Sequence, residues 1–159
     1  MGINLKAEIR PHKGAGGFVL GTMISEIKKE VLSQFERKEI HNKYLPNHPP
    51  LIEYTTKEII LHFYENKLNQ IGMIGNYAGK LHPNLGIGSI VSQFEKHYGK
   101  MIEGDEDELK FSNLNGLCFE VDSQLYNSDN WRTVVPNLPV SQIYVFGKEI
   151  YNYKAHNNV

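Results

Sequence analysis

A chain of 159 residues is long enough for one domain with its own hydrophobic core, and 40% apolar with 22% charged residues is typical of a folded protein. A formal net charge of −1 excludes the overall positive field that would attract nucleic acid or an anionic membrane, so neither partner is expected. The single cysteine, Cys118, excludes an intramolecular disulfide, and neither an export signal nor an apolar stretch of about 18 residues occurs, so we expect a cytoplasmic protein without a membrane span.

The first half of the chain predicts a strand, a helix and three more strands. Apolar and polar residues alternate over residues 3–10, the period of a half-buried strand, and Pro11 ends the pattern. A helix is predicted from Thr22, because one apolar stripe recurs at spacings of three and four residues, formed by Ile24, Ile27, Val31 and Phe35. After a proline-rich connector over 42–50, strands are predicted near 52–56, 59–64 and 68–74.

The second half repeats this order. After a hinge over 75–83, a second helical stripe is followed by Gly99 as the predicted C-cap, and it consists of Ile90, Val91, Phe94 and Tyr98. Strands are predicted near 108–112, 116–121 and 140–146, with a short last strand at 149–153. Cys118 lies in the middle of these strands between two apolar neighbours, so a buried thiol is predicted.

Two pairs of matching segments indicate an internal duplication. Residues 21–29 match 88–96 at an offset of 67 (88 − 21), and residues 68–75 match 140–147 at an offset of 72 (142 − 70). We therefore predict a single α+β domain, residues 1–159, built from two repeats at about 12–77 and 78–153. Each repeat is a helix followed by three antiparallel strands, with the helices packed on one face of the sheet.

Motifs for enzyme and metal sites are absent from the sequence. None of the seven histidines lies three or four residues from another histidine or a cysteine, so no metal site and no cofactor are predicted. No Gly-x-Ser-x-Gly nucleophile motif occurs, and no catalytic residue is assigned. A non-enzyme is therefore expected. Two alternatives stay open, a small metal-independent hydrolase and a small-ligand-binding domain with a pocket between helix and sheet.

Two segments are candidates for binding a partner. The first is an acidic run, either a solvated loop or a docking surface for a basic protein, that contains Glu103, Asp105, Glu106, Asp107 and Glu108. The second is an insertion of about sixteen residues between the second and third strands of the second repeat. It carries the only tryptophan, Trp131, with Tyr126 and Arg132, residue types that dominate interface hot spots. Trp131 either pins this loop to the core or anchors a partner.

The repeated Leu-Gly helix start, Leu20-Gly21 and Leu85-Gly86, followed by three antiparallel strands, resembles the unit of β-lactamase inhibitor proteins and of small outer-membrane assembly lipoproteins. The resemblance covers roughly residues 12–150, but the chain lacks the paired cysteines of the inhibitors and the lipidated cysteine of the lipoproteins. In general character, a small protein with no catalytic motif and one elaborated face, it also resembles immunity proteins that neutralise toxins delivered between bacteria. These likenesses imply a repeat fold and an inhibitor, and they assign no site residues.

We therefore predict a non-catalytic inhibitor that binds another protein, as an immunity protein that occludes the active site of a secreted, nuclease-like bacterial toxin. The predicted partner-binding residues are Glu103, Asp105, Glu106, Asp107, Glu108, Tyr126, Trp131 and Arg132. The aromatic and arginine side chains would act as anchors, and the carboxylates would match the basic residues with which a nuclease binds phosphate.

Overall fold

The computed structural model describes residues 1–104 and 108–147, and within these ranges the chain is mostly β-structure. Ten strands form there, in chain order β1 (Gly14–Ala15), β2 (Phe18–Val19), β3 (Glu36–Ile40), β4 (Leu51–Thr55), β5 (Ile59–Tyr64), β6 (Lys67–Met73), β7 (Met101–Glu103), β8 (Leu109–Phe111), β9 (Leu114–Glu120) and β10 (Gln142–Phe146). The helices are short, α1 (Lys29–Leu32), α2 (Val91–Tyr98) and α3 (Trp131–Val134), with 3₁₀ turns at Ile24–Glu26, Ser123–Leu125 and Val135–Asn137. None of the helices in these ranges has the length and apolar character needed to cross a membrane.

Eight of these strands form one antiparallel sheet in the order β3-β4-β5-β6-β10-β9-β8-β7. Strands β1 and β2 form a separate hairpin. The two halves of the chain meet at the central pair, where β6 lies antiparallel to β10 with Gly72 opposite Tyr144. Strands β3 and β7 form the two edges of the sheet.

The predicted fold class, α+β with two helix-plus-three-strand units, is wrong. A single eight-stranded sheet dominates the regular structure of the described chain, and each half contributes four strands to it. The six predicted inner strands are confirmed to within two residues, whereas the edge strands β3 and β7 were missed. All five residues of β3 are exposed, so this strand has no buried face to impose an apolar alternation. The strand predicted at 149–153 lies outside the described residues.

The first predicted helix is also wrong. The chain forms a 3₁₀ turn at Ile24–Glu26, becomes extended at Ile27 and then makes only the four-residue α1. The apolar stripe still faces the core, because Ile27 and Phe35 are buried. Since β-branched residues lower helix propensity, burial of these side chains rather than a continuous helix decides the local structure. The second predicted helix is confirmed as α2, which ends at Gly99 with a φ of 80°.

The strand predicted over residues 3–10 does not form either. Its backbone bonds with separate loops instead of a neighbouring strand: the N–H of Asn4 donates to the carbonyl of Gly16 (2.8 Å), and that of Ile9 to the carbonyl of Lys80 (3.0 Å). Ile9 is buried and Leu5 packs against the core. The alternation therefore indicates which side chains are buried, while the hydrogen-bond partners come from distant loops.

The hydrophobic core lies on one face of the sheet, beneath α2, the N-terminal segment and the β1–β2 hairpin. Alternate residues of the central strands face it, for example Ile59, Leu61 and Phe63 of β5, all fully buried. Phe94 of α2 packs between rings of the second half, 5.5 Å from Phe111 and 5.0 Å from Phe119 between centroids. The opposite face of the sheet, which we call the polar face, carries the remaining alternate residues.

The backbone around the two matching glycines makes the same hydrogen bonds in both halves. The N–H of Gly21 donates to the carbonyl of Leu68, and the N–H of Gly88 donates to the carbonyl of Val140, both at 2.8 Å. The two donor glycines are 67 residues apart (88 − 21), and the two acceptor residues, Leu68 and Val140, are 72 residues apart (140 − 68). These are the two offsets found in the sequence.

The side chains that begin the two helical segments also match. A carboxylate oxygen of Glu26 accepts from the N–H of Met23 (2.7 Å), and the amide oxygen of Gln93 accepts from the N–H of Ile90 (2.9 Å). Each satisfies a backbone donor that a helix start leaves without an intrahelical partner. The division into repeats at 12–77 and 78–153 stays a prediction.

Candidate functional site

A groove of about 280 Å³ lies at one end of the sheet, where the turn after β7 meets the segment between β9 and β10. We call it the acid–aromatic groove. Its lining residues are Glu103, Glu108, Leu109, Ser123, Tyr126, Asn127, Ser128 and Trp131. In the antiparallel order β10-β9-β8-β7, the β7–β8 turn and the β9–β10 connection lie at the same end of the strands, which is why these two segments meet.

The β9–β10 connection is held in shape by its own short polar side chains. Asp122 accepts a hydrogen bond from the N–H of Gln124 (3.0 Å) and starts a 3₁₀ turn. Asn127 accepts from the N–H of Asn130 (3.1 Å), and Asn130 accepts in return from the N–H of Asn127 (2.8 Å). This reciprocal pair is a local side-chain turn that places Trp131 at the first residue of α3. This turn was not predicted from the sequence, although closely spaced asparagines are typical of such turns.

Trp131 lines the groove and also packs against the core. It is half-buried and belongs to the layer of apolar side chains around the buried cluster, as does Tyr126. The guanidinium carbon of the exposed Arg132 lies 5.3 Å from the centroid of the Trp131 ring, a cation–π contact. Trp131 therefore packs on the core as the first of its two interpretations predicts, and its role as an anchor for a partner stays a prediction.

The acidic run contributes two carboxylates to the groove. Glu103 is exposed at the end of β7 and Glu108 is half-buried, and the N–H of Gly104 donates to the carbonyl of Glu108 (2.6 Å). The other predicted acidic residues, Asp105, Glu106 and Asp107, lie outside the described residues. The structure thus brings together four of the predicted residues, Glu103, Glu108, Tyr126 and Trp131, and places Arg132 beside them.

A second group of polar side chains lies on the polar face, across strands β4, β5 and β6. Nε2 of His62 lies 2.9 Å from a carboxylate oxygen of Glu53, and its Nδ1 lies 3.0 Å from the amide oxygen of Gln70. The His62 and Glu53 side chains are 18% and 21% exposed, so this contact is largely withdrawn from solvent. Strand alternation places the three residues on one face, but the strand pairing brings them into contact.

Tyr144 continues this polar face at the centre of the sheet. Its hydroxyl donates to the amide oxygen of Gln142 (2.6 Å), and its ring lies against Gly72, where an added Cβ would come within 2.7 Å of a ring carbon. Burial, and after it the negative charge of Glu120 and other nearby groups, raises the pKa of the Tyr144 hydroxyl far above its usual range. The hydroxyl is therefore a neutral hydrogen-bond donor at physiological pH.

The chemistry available on the polar face is limited by these contacts. Both ring nitrogens of His62 already face side-chain oxygens, so this histidine offers no free nitrogen to a substrate. The thiol of Cys118 is buried, as predicted, with the residue 1% exposed. Across residues 1–104 and 108–147, no group of three or more histidine, cysteine or acidic side chains is arranged to hold a metal ion.

Comparisons with known proteins bear on the fold alone. No protein-family model and no curated protein matches the chain. The fold is similar to that of the uncharacterized protein yfeY from Escherichia coli, with a TM-score of 0.62 and 11% sequence identity over 89% of this chain and 99% of that one. A cysteine-rich secretory protein from Staphylococcus aureus aligns with a TM-score of 0.47 and 14% identity, covering 91% of this chain and 48% of that one. Neither similarity bears on the resemblance to β-lactamase inhibitor and immunity proteins.

Proposed function

We propose that this chain is a non-catalytic protein-binding domain that uses the acid–aromatic groove and its rim, and that it inhibits its partner. One observation carries the proposal: the groove joins the acidic run and the aromatic insertion, two segments that are separate in sequence. In its specific form, the partner is a basic, secreted bacterial toxin domain, and the chain is a cytoplasmic immunity protein that covers the active site. The single, buried Cys118 forms no intramolecular disulfide, which is compatible with that compartment.

The residue types around the groove favour a protein partner. Trp131 and Tyr126 are rigid, partly buried aromatic side chains, which supply large contact areas at a low cost in conformational entropy. The residues that adjoin the lining in sequence, which we call the rim, include two exposed apolar side chains, Ile102 before Glu103 (51% exposed) and Leu125 before Tyr126 (52% exposed). A stable interface buries about 800 Å² on each partner, so the contact must extend from the groove onto this rim.

The two alternative functions have less support from the geometry. The groove, at about 280 Å³, falls just below the range of about 300–1,000 Å³ typical of small-molecule pockets, and it lies between a turn and a loop rather than between helix and sheet. A metal-independent hydrolase would need a general base with a free atom facing the substrate. His62, whose ring lies 2.9 Å from a carboxylate oxygen of Glu53, has both ring nitrogens engaged.

The proposal is tested with candidate basic toxin domains, chosen by screening the reading frames that neighbour the gene of this chain. We expect a 1:1 complex by calorimetry and loss of toxin activity on mixing. Trp131→Ala should weaken binding by about 2–4 kcal/mol, or about 30- to 1,000-fold. Because Trp131 also packs on the core, a second variant, Glu103→Lys, changes an exposed side chain of the groove and should weaken binding without loss of stability. Tyr44→Ala, an exposed aromatic outside the groove, is the matched control.

Two results would contradict the proposal. One is the absence of binding and inhibition with the wild-type chain. The other is binding that is unchanged by both groove variants, because the partner surface would then lie elsewhere. Neutralising Asp105, Glu106 and Asp107 together should act mainly on the association rate and its salt dependence, as expected for charges that steer encounter.

A further inference from the structure

We infer that the acid–aromatic groove binds a guanidinium group, the side chain of an arginine presented by the partner. The inference rests on the proposed function and names the chemical group that the groove recognises. Three features of the described residues support it: the acceptor groups in the lining, the aromatic wall, and the guanidinium already bound to that wall.

The lining supplies hydrogen-bond acceptors and negative charge. Glu103 and Glu108 contribute carboxylates, and Ser123 and Ser128 contribute hydroxyl oxygens. The amide oxygen of Asn127 already accepts from two backbone N–H groups and is not counted among these acceptors. None of the described side chains that line the groove is basic. A guanidinium presents five N–H donors in a fixed plane and no acceptor, so it matches a site with several oxygen acceptors better than a single-point ammonium does.

The aromatic wall suits the same group. A guanidinium stacks on an indole face and gains cation–π energy of about 0.5–2 kcal/mol, depending on how far it is desolvated. Trp131 and Tyr126 are both half-buried in the lining, so their rings are held by the core while one side of each contacts the groove. The groove volume of about 280 Å³ is sufficient for one long side chain.

Arg132 gives an independent indication of this chemistry. Its guanidinium lies 5.3 Å from the Trp131 ring centroid without lining the groove. The indole therefore already contacts one guanidinium, and the same residue lines the groove together with Glu103 and Glu108. The positive charge of Arg132 opposes the entry of a second cation, so Arg132→Gln should strengthen binding of an arginine probe.

Trp131 allows a direct test because it is the only tryptophan in the chain. The wild-type protein is titrated with N-acetyl-arginine amide while the intrinsic tryptophan fluorescence is recorded. We expect a saturable change that weakens as salt is added. The neutral isostere, N-acetyl-citrulline amide, should bind at least tenfold more weakly, and N-acetyl-lysine amide should bind several-fold more weakly.

Variants of the two carboxylates identify the site. Glu103→Gln and Glu108→Gln should each weaken the arginine probe several-fold, whereas Glu8→Gln, an exposed acidic residue outside the groove, should not. Melting curves on the same samples verify that each variant is folded. Equal binding of arginine and citrulline amides, of arginine and lysine amides, or of wild type and both groove variants would overturn the inference.

The test separates this inference from the proposed function. If the arginine probe fails to bind while Trp131→Ala still weakens the protein complex, the groove recognises another group and the proposed function stands. If the probe binds as expected but no protein partner is inhibited, the guanidinium site stands and the proposed inhibitor function fails.

Discussion

The hydroxyl group of Tyr77 provides a stringent test of how the fold is held together. Tyr77 lies in the segment between the two halves and is 2% exposed. Its hydroxyl donates to the carbonyl of Ala7 (2.6 Å) and accepts from the N–H of Gly16 (2.8 Å). This one oxygen atom therefore links the N-terminal segment and the turn between β1 and β2 to the segment that connects the two halves of the chain.

Tyr77→Phe removes that oxygen and keeps the ring. Each hydrogen bond contributes about 0.5–1.5 kcal/mol net, and a buried N–H left without a partner costs about 1–3 kcal/mol. The N–H of Gly16 is buried, whereas Ala7 is only half-buried and water can replace its partner. We therefore expect the free energy of unfolding to fall by about 2–3 kcal/mol, and the melting temperature by about 4–12 °C for a domain of this size.

Urea unfolding followed by far-UV circular dichroism measures this change. The slope of the transition should stay constant, because the variant exposes the same surface on unfolding. Tyr44→Phe is the matched control: Tyr44 is 80% exposed, so losing its hydroxyl should change stability by less than about 0.5 kcal/mol. If Tyr77→Phe were as mild as this control, the two hydrogen bonds would have no net effect on stability and the reasoning would be refuted.

Three further predictions concern the sheet and the repeats. Since the pKa of Tyr144 is raised by burial and then by nearby negative charge, the folded state keeps a proton that the unfolded chain loses above about pH 10. The free energy of unfolding should therefore fall as pH rises from 10. In Tyr144→Phe, the urea midpoint should fall less between pH 8 and 11 than it does in the wild type. An equal fall in both proteins would contradict this. Gly72→Ala should lower the free energy of unfolding by about 1–3 kcal/mol, because the added methyl group displaces the Tyr144 ring. The same substitution should lower it much less in a Tyr144→Ala protein, and equal losses in both proteins would exclude that clash. If the two helical starts are equivalent, Glu26→Ala and Gln93→Ala should each cost about 0.5–1 kcal/mol in thermal unfolding, and a loss confined to one of them would count against equivalence.

The strands that the sequence predicts are those with one buried face. Strand β5 alternates buried and half-buried residues along its whole length, and its predicted bounds, 59–64, are the observed ones. Edge strand β3 has no such pattern, because neighbours cover neither of its faces. Its charged side chains are typical of an edge protected against pairing with other chains, a feature that is hard to distinguish from a surface helix in sequence.

For the candidate site, the sequence identifies the two segments but not their contact. Clustered carboxylates and the lone tryptophan are visible as residue types, and Trp131 is separated from Glu103 by 28 positions (131 − 103). Only the strand order, with β7, β8, β9 and β10 side by side, places both segments at one end of the sheet. The contact between His62 and Glu53 was missed for the same reason, since it depends on the register between β4 and β5.

Local patterns in the sequence indicated the inner strands to within two residues and many of the side chains that face the core, and they showed matching segments at offsets of 67 and 72 residues. These properties depend on local periodicity and on chemical identity, which are present in any short window of the chain. The tertiary structure alone decided that the strands form one sheet, that the stripe beginning at Ile24 is not one long helix, and that a groove forms between a turn and a loop. These outcomes depend on hydrogen bonds and packing between distant segments, whose free energies exceed the small differences in local propensity.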